Sequence, residues 1–385
     1  MAEDKPARLA TRPRPSHRSR SSASAFSRKL TYMQPGGPYD NGRLRLAANI
    51  VEMDLPVSFP TVFATFGRDS QVVTEEIAKH WPTLPAALPL VSAGDDKSLL
   101  ITCKKPTATQ AALFGPGQVG KWLHYPKSKE SIPLKDEELA ALEVGGVPPY
   151  MAMHWVHVIP LPILKKLLVL FDALVAAGVE FPEADFRRSG TAALHLGVWS
   201  LYARQPRITA DSHQTMISNS TQRARVVAAI DALCMIVKVH IVPKLVELMD
   251  EYVPGQSRVQ NRIHERVTRL LEEDFRQRPT MDFGPVFYTM AVKEGSSERI
   301  HVDWNDNIHK YALIFCAGDY TGGEFCVPQL NIRIPLRPGA VLAVRTRLLA
   351  HCATLVGQGR RLVFTCFTDS TLLEQTLRGH EYALV

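Results

Sequence analysis

The 385-residue chain lacks the marks of several protein classes. None of its six cysteines (Cys103, Cys234, Cys316, Cys326, Cys352, Cys366) forms a CxxC pair. That argues against a disulfide framework or cysteine-rich zinc site, and for a reducing compartment. No uncharged apolar run reaches the roughly 18 residues that cross a bilayer. The nearest, Ile163 to Val179, carries Lys165, Lys166 and Asp172. No apolar signal core opens the chain, so an intracellular protein without a membrane partner is expected. No internal repeat is found. Outside the first 30 residues net charge is nearly absent too. The whole chain carries +7, and residues 1–30 hold eight Lys or Arg against Glu3 and Asp4. Bulk charge therefore does not make the body a nucleic-acid-binding surface.

What is present describes a globular protein: 45% of residues are hydrophobic and 22% charged, enough for a large core. Residues 1–30 are rich in Arg, Ser and Pro and form a disordered basic tail. Such a tail suits a polyanion such as DNA, or nuclear import, or plain solvation. Residues 31–158 read as an α+β region of unassigned role, with a helix near Gln71–Trp81 and a strand at Leu99–Cys103. Residues 159–280 read as helical. Pro162 sits in a first helical turn and Gly178 acts as a stop. Asn219-Ser220-Thr221 offers a cap, Pro243 a break or kink, and Pro254-Gly255 an end. Ile263, Val267, Leu270 and Leu271 then share one helical face. From residue 281 to 385 short strands alternate with turns such as Gly295-Ser296-Ser297, Thr321-Gly322-Gly323, Arg337-Pro338-Gly339 and Gly357-Gln358-Gly359. That spacing fits a sandwich or jelly roll, braced by the preceding helices.

The chemistry concentrates there. His301 and Asp303 are two apart on an extended segment, so both side chains reach the same side. His351 follows 50 residues later. Two imidazoles and one carboxylate on one face of a metal leave its other positions open, the donor set of non-haem Fe(II) oxygenases. Arg361 opens an apolar strand ten residues beyond His351. A guanidinium there can grip a carboxylate bidentately.

This order of residues resembles the Fe(II)/2-oxoglutarate-dependent oxygenase superfamily. Tyr320-Thr321-Gly322-Gly323-Glu324-Phe325 is similar to its GGE turn, Arg337-Pro338-Gly339-Ala340-Val341 to its Pro-Gly turn, and Gly359-Arg360-Arg361 to its G-x-R. The resemblance covers about 90 residues in all, and His301 to Phe367 is the stretch similar to the family's core. It implies an α+β fold with a double-stranded β-helix (jelly-roll) core. It implies Fe(II) on His301, Asp303 and His351, 2-oxoglutarate on Arg361 with Arg360 as the alternative, and co-substrate contacts from Tyr288 and Tyr311. O2 would be the oxidant and ascorbate the reductant. The reaction would be oxidative decarboxylation of 2-oxoglutarate coupled to C–H hydroxylation.

Two branches are open for the substrate. His301-Val302-Asp303-Trp304-Asn305-Asp306 and the phrase from Gly318 to Gly339 look like fungal TET/JBP-like dioxygenases. That likeness implies oxidation of 5-methylcytosine or thymine in DNA, as in DNA demethylation, with Asp306 near the base. Such chemistry requires the base to be extruded into a pocket, and Arg333, Arg337, Arg345 and Arg347 could contact phosphates. A prolyl-hydroxylase-like enzyme acting on protein or a small molecule fits the spacing equally. A cupin-like metal-binding protein without turnover is a third reading. Weaker signals have ordinary explanations. His154 and His157 flank Trp155, His309 is a loop residue, and Asp211-Ser212-His213 lacks a nucleophile motif. The cysteines near the strands fit buried positions, with Cys352 exposed to oxidation beside His351.

Overall fold

The computed structural model describes residues 39–40, 43–44, 50–58, 88–92, 97–104, 150–185, 188–200, 205–303, 305–307, 310–347 and 349–372. The basic tail, the expected helix at Gln71–Trp81 and His309 lie outside them. Contacts separate residues 1–43 from residues 44–385, and the site lies wholly in the second unit.

That unit combines helices with a largely antiparallel sheet. Its strands are β1 (Ile50–Ser58), β2 (Ser98–Lys104), β3 (Tyr150–Trp155), β4 (Leu194–Trp199), β5 (Arg207–Ile208), β6 (Thr289–Glu294), β7 (Ala312–Gly322), β8 (Phe325–Val327), β9 (Ile332–Ile334), β10 (Val341–Val344), β11 (Cys352–Ala353) and β12 (Val356–Phe367). Among the described residues the main sheet runs β1-β2-β3-β10-β7-β12-β6-β4-β5. Among the described strands of that sheet, β1 and β2 pair in parallel and the other neighbours antiparallel. A smaller sheet runs β9-β8-β11, and the bridge His301↔His351 sits just before β11.

The chain crosses repeatedly between the sheets. It leaves β7 for β8 and β9, returns at β10, passes through His351 and β11, and returns again as β12. Side chains alternate across each strand, so β12 divides its residues between two environments. Arg361 and Val363 face the space between the sheets. Arg360 points the other way, onto Phe171 and Asp172 of helix α1 (Leu161–Ala176). Phe315 of β7 and Phe364 of β12 stack at 4.7 Å on that helix-covered side. Burial of each such ring stabilises by roughly 1.5–3 kcal/mol.

The helices follow the expected signals with one change. Pro162 lies in the first turn of α1 and Gly178, at φ 88°, follows its end. After the short α2 (Ala210–His213), the Asn219 side chain accepts the Gln222 N–H and starts α3 (Ser220–Ile236). Pro243 does not end the helical run. A π-helical turn, Val237–Ile241, precedes it, and α4 (Val242–Tyr252) continues. A wider turn accommodates the missing N–H where an α-helical ladder would break. The whole run Ser220–Tyr252 is long and apolar enough, by length and composition, to cross a membrane, a property the sequence reading gave to no segment. Of its most apolar window, 44% is buried inside the protein. Pro254 opens α5 (Pro254–Leu270), and α6 (Glu272–Gln277) follows. Leu270, expected on the apolar face, is exposed, while Leu271 is buried.

Turn expectations also shift at Gly357-Gln358-Gly359. The segment is part of β12, with an irregular register against β7 between Val356 and Gln358. An added residue of this kind bends and twists a strand without ending it.

Candidate metal centre and cavity

His301, Asp303 and His351 converge. Their ligand atoms all lie within 4.8 Å of one another. Two backbone hydrogen bonds of 3.0 and 2.9 Å tie His301 to His351, so the two ligands share one β-bridge despite 50 residues of intervening chain. His301 Nδ1 donates to the Arg299 carbonyl and His351 Nδ1 to the Leu349 carbonyl, both at 2.8 Å. Each bond fixes the tautomer that leaves Nε2 with its lone pair. Those Nε2 atoms sit 3.7 and 3.4 Å from Asp303 Oδ1 and Oδ2. Phe325 stacks on the His351 ring at 5.1 Å and holds its plane.

The electrostatics suit metal ligation. Burial, then the neighbouring His351, pushes the His301 pKa down to about 3, so its imidazole is neutral. Burial alone would raise Asp303, but the Arg188 guanidinium and the two imidazoles hold it well below the usual carboxylate range. Arg188 Nη1 donates to Asp303 Oδ1 at 2.8 Å. Two imidazole nitrogens and one carboxylate, with no sulfur, fit Fe(II) and also other divalent first-row ions.

These three residues line a cavity of about 410 Å³ between the sheets, within the size range of small-molecule sites. Arg361 lines the same cavity and is only 3% exposed. Its Nη1 donates to the Gly295 carbonyl at 3.1 Å, and its guanidinium lies over the Tyr320 ring. Its Nε has no partner, and no ion pair involves it among the described residues. A buried cation in that state is costly unless an anion completes it. Gly323 makes room for it: a Cβ there would meet Arg361 Nε at 2.7 Å. The glycine of the GGE turn is thus required by the guanidinium packed on it. Arg360, the alternative, is not in the cavity. It forms two 3.0 Å bonds to Glu294 and a 2.7 Å ion pair with Asp172.

Several expected contributors lie elsewhere. Tyr311 is buried outside the cavity lining, and its hydroxyl donates to the Tyr150 carbonyl. Tyr288 is also buried outside it, beside His264 of α5. Neither lines the cavity, because inward positions on these strands fall on other residues. His154 sits in strand β3 and His157 in a turn at φ 58°, so they share no helical face. Of the four arginines considered for phosphate contact, Arg345 is 1% exposed and out of reach of one. Ser212 bonds to Thr209 and the Gly197 N–H, and Asp211 to His195, so no hydrolytic triad forms.

Asp306 does line the cavity. Its Oδ2 accepts from Thr346 Oγ1 at 2.6 Å, and burial, then the Asp303 charge, raises its pKa well above the ordinary value. The sequence reading missed other lining residues. Lys293 bonds to Ser189 Oγ and the Ser296 carbonyl, both at 2.6 Å, and burial lowers its pKa to about 8. His195, Trp199 and Phe367 form an aromatic wall, with the His195 ring 5.3 Å from Trp199 and 6.3 Å from Phe367. Asp369 lies beside them in the lining. A usable signal existed for two of these. His195 is the polar residue of an otherwise apolar strand, and Lys293 alternates with Ala291 on the cavity-facing side of its own. Arg188 had no comparable signal, because it lies in a connection.

No protein-family model and no curated protein matches the chain. Among solved structures, one described as NgTET1 in complex with 5mC DNA is similar over 58% of this chain and 73% of its own, at 15% identity and TM-score 0.42. A 2OG-Fe(II) oxygenase family oxidoreductase from Burkholderia pseudomallei is similar over 59% of this chain and 86% of its own, at 13% identity and TM-score 0.28. At these scores neither likeness assigns a function to this chain.

Proposed function

We propose that the protein is an Fe(II)- and 2-oxoglutarate-dependent dioxygenase with a double-stranded β-helix core. One observation carries the reading. A His-Asp-His cluster and a buried arginine lacking a carboxylate partner line the same cavity. A cluster alone would suit a metal-binding protein without turnover. The unpartnered guanidinium favours a site that also takes an anionic co-substrate. The strand order supports the fold: β10-β7-β12-β6 opposes β9-β8-β11 and the His301 bridge, with the chain alternating between them.

Here His301, Asp303 and His351 would hold iron, and Arg361 would bind the distal carboxylate of 2-oxoglutarate. When bound, these groups supply the oxidising chemistry: O2 and 2-oxoglutarate give succinate and CO2, and a substrate C–H becomes C–OH. The protein does the rest. The carbonyls of Arg299 and Leu349 keep both imidazoles in the ligating tautomer. Ile314, Leu336 and Val363 give the cavity apolar walls that exclude water.

For the substrate, the reading extends to a nucleobase in nucleic acid, with oxidation of a 5-methylcytosine or thymine methyl group. The aromatic wall of His195, Trp199 and Phe367 suits a planar ring. Asp306, whose pKa burial raises, offers its carboxyl as a hydrogen-bonding group to the edge of such a ring. Incubation with Fe(II), ascorbate, 2-oxoglutarate and methylated DNA, followed by mass spectrometry of nucleosides, tests this. Hydroxymethylcytosine is expected. Succinate without any modified nucleoside would redirect the substrate to protein or a small molecule.

A further inference from the structure

We infer that Arg188 is a positioning residue for the metal centre, fixing which oxygen of Asp303 serves as ligand and steadying His301 through the backbone. The inference rests on His301, Asp303 and His351 being metal ligands. Arg188 lies in the connection between α1 and β4, over 100 residues before the ligands. Its Nη1 donates to Asp303 Oδ1 at 2.8 Å. Oδ2, 3.4 Å from His351 Nε2, is left as the free oxygen. A carboxylate with both oxygens free can take a metal through one or two of them. With a guanidinium on Oδ1, the one-oxygen mode is selected and the open positions on the metal are preserved.

The same residue reaches a second ligand. The Arg188 carbonyl accepts the Arg299 N–H at 3.2 Å, and the Arg299 carbonyl accepts His301 Nδ1. The segment carrying Arg188 is itself held. The N–H groups of Arg188 and Ser189 both donate to the Asp185 carbonyl. Ser189 Oγ donates to the buried Ser296 carbonyl at 2.8 Å and accepts from Lys293. Asp185 Oδ2 lies 3.5 Å from Arg188 Nε on the outer side. An ordinary surface ion pair adds little to stability and would not touch the metal. This one ends on a ligand that is largely buried.

The test uses the full chain loaded anaerobically with Co(II), whose visible absorption reports coordination. Wild-type, Arg188→Met and Arg188→Lys proteins are titrated, and their melting temperatures are compared. One Co(II) per chain is expected in each. Arg188→Met should show shifted, weaker bands, as Asp303 engages through both oxygens, and Arg188→Lys should return toward the wild-type spectrum. If Arg188→Met does not fold, Arg188→Gln makes the same comparison. An unchanged spectrum in the uncharged variant, with one Co(II) bound, overturns the role of Arg188 and leaves the metal site standing. No Co(II) bound by the wild type overturns the metal reading, and this inference with it.

Discussion

Replacing Arg361 with Met separates a binding arginine from a structural one. Arg361 is 3% exposed, makes one hydrogen bond to the Gly295 carbonyl, and leaves Nε unpartnered. A structural buried arginine would be paired, and its loss would strand the partner charge. Here no charge is stranded, so the melting temperature should stay level or rise. Co-substrate binding should respond in the opposite sense. Charge-assisted hydrogen bonds contribute roughly 1.5–3 kcal/mol. Each 1.4 kcal/mol is tenfold, so the 2-oxoglutarate Kd should rise about 10- to 150-fold. Arg360→Ala is the control. Its ion pairs with Asp172 and Glu294 lie at the surface, so both stability and Kd should move little. Calorimetric titration of 2-oxoglutarate into metal-loaded protein, with thermal unfolding alongside, reads both effects. Unchanged affinity in Arg361→Met, or an equal loss in Arg360→Ala, would refute the reasoning.

Other perturbations follow from the same geometry. Gly323→Ala places a methyl 2.7 Å from Arg361 Nε at φ 69°. It should weaken 2-oxoglutarate binding and cost about 1–2 kcal/mol of stability in denaturant titration. Asp306→Asn keeps the side chain's size and an oxygen that can accept from Thr346, so thermal stability should hold while turnover of the substrate falls. Burial raises Asp369 to about 6, so the folded metal-free protein keeps a proton that the unfolded chain releases near pH 4. The resulting stabilisation is full below about pH 4 and lost as pH rises to 6. The gap is worth about 3 kcal/mol. The stability difference between wild type and Asp369→Asn should shrink across that window, and a constant difference would contradict it.

The clustering of His301, Asp303 and His351 was legible because its determinants are local. An i, i+2 pair on extended backbone shares a face whatever the fold around it. Turn glycines mark where strands reverse, and the Gly323 requirement explains why one such turn sits opposite Arg361. The tyrosines were misplaced because their orientation depends on the strand's parity relative to the cavity. A one-residue change of register moves a side chain from one face to the other. Arg361 and its neighbour Arg360 illustrate this: adjacent residues, one in the cavity and one on α1. Pro243 was read as a break or kink, and which of the two it makes stayed open because a π-helical turn has no sequence mark beyond the proline itself. Trp199 and Arg188 were hidden for another reason. They come from residues 188–200, brought to the His-Asp-His cluster by long-range packing that no short pattern records.

Succinate formation is the decisive measurement. Purified protein with Fe(II), O2 and 2-oxoglutarate should release succinate above the no-enzyme background, and chelation of iron or Asp303→Ala should abolish it. Co(II) bound at one equivalent without any succinate, across nucleic-acid, peptide and small-molecule substrates, would instead make this a metal-binding protein and contradict the assignment.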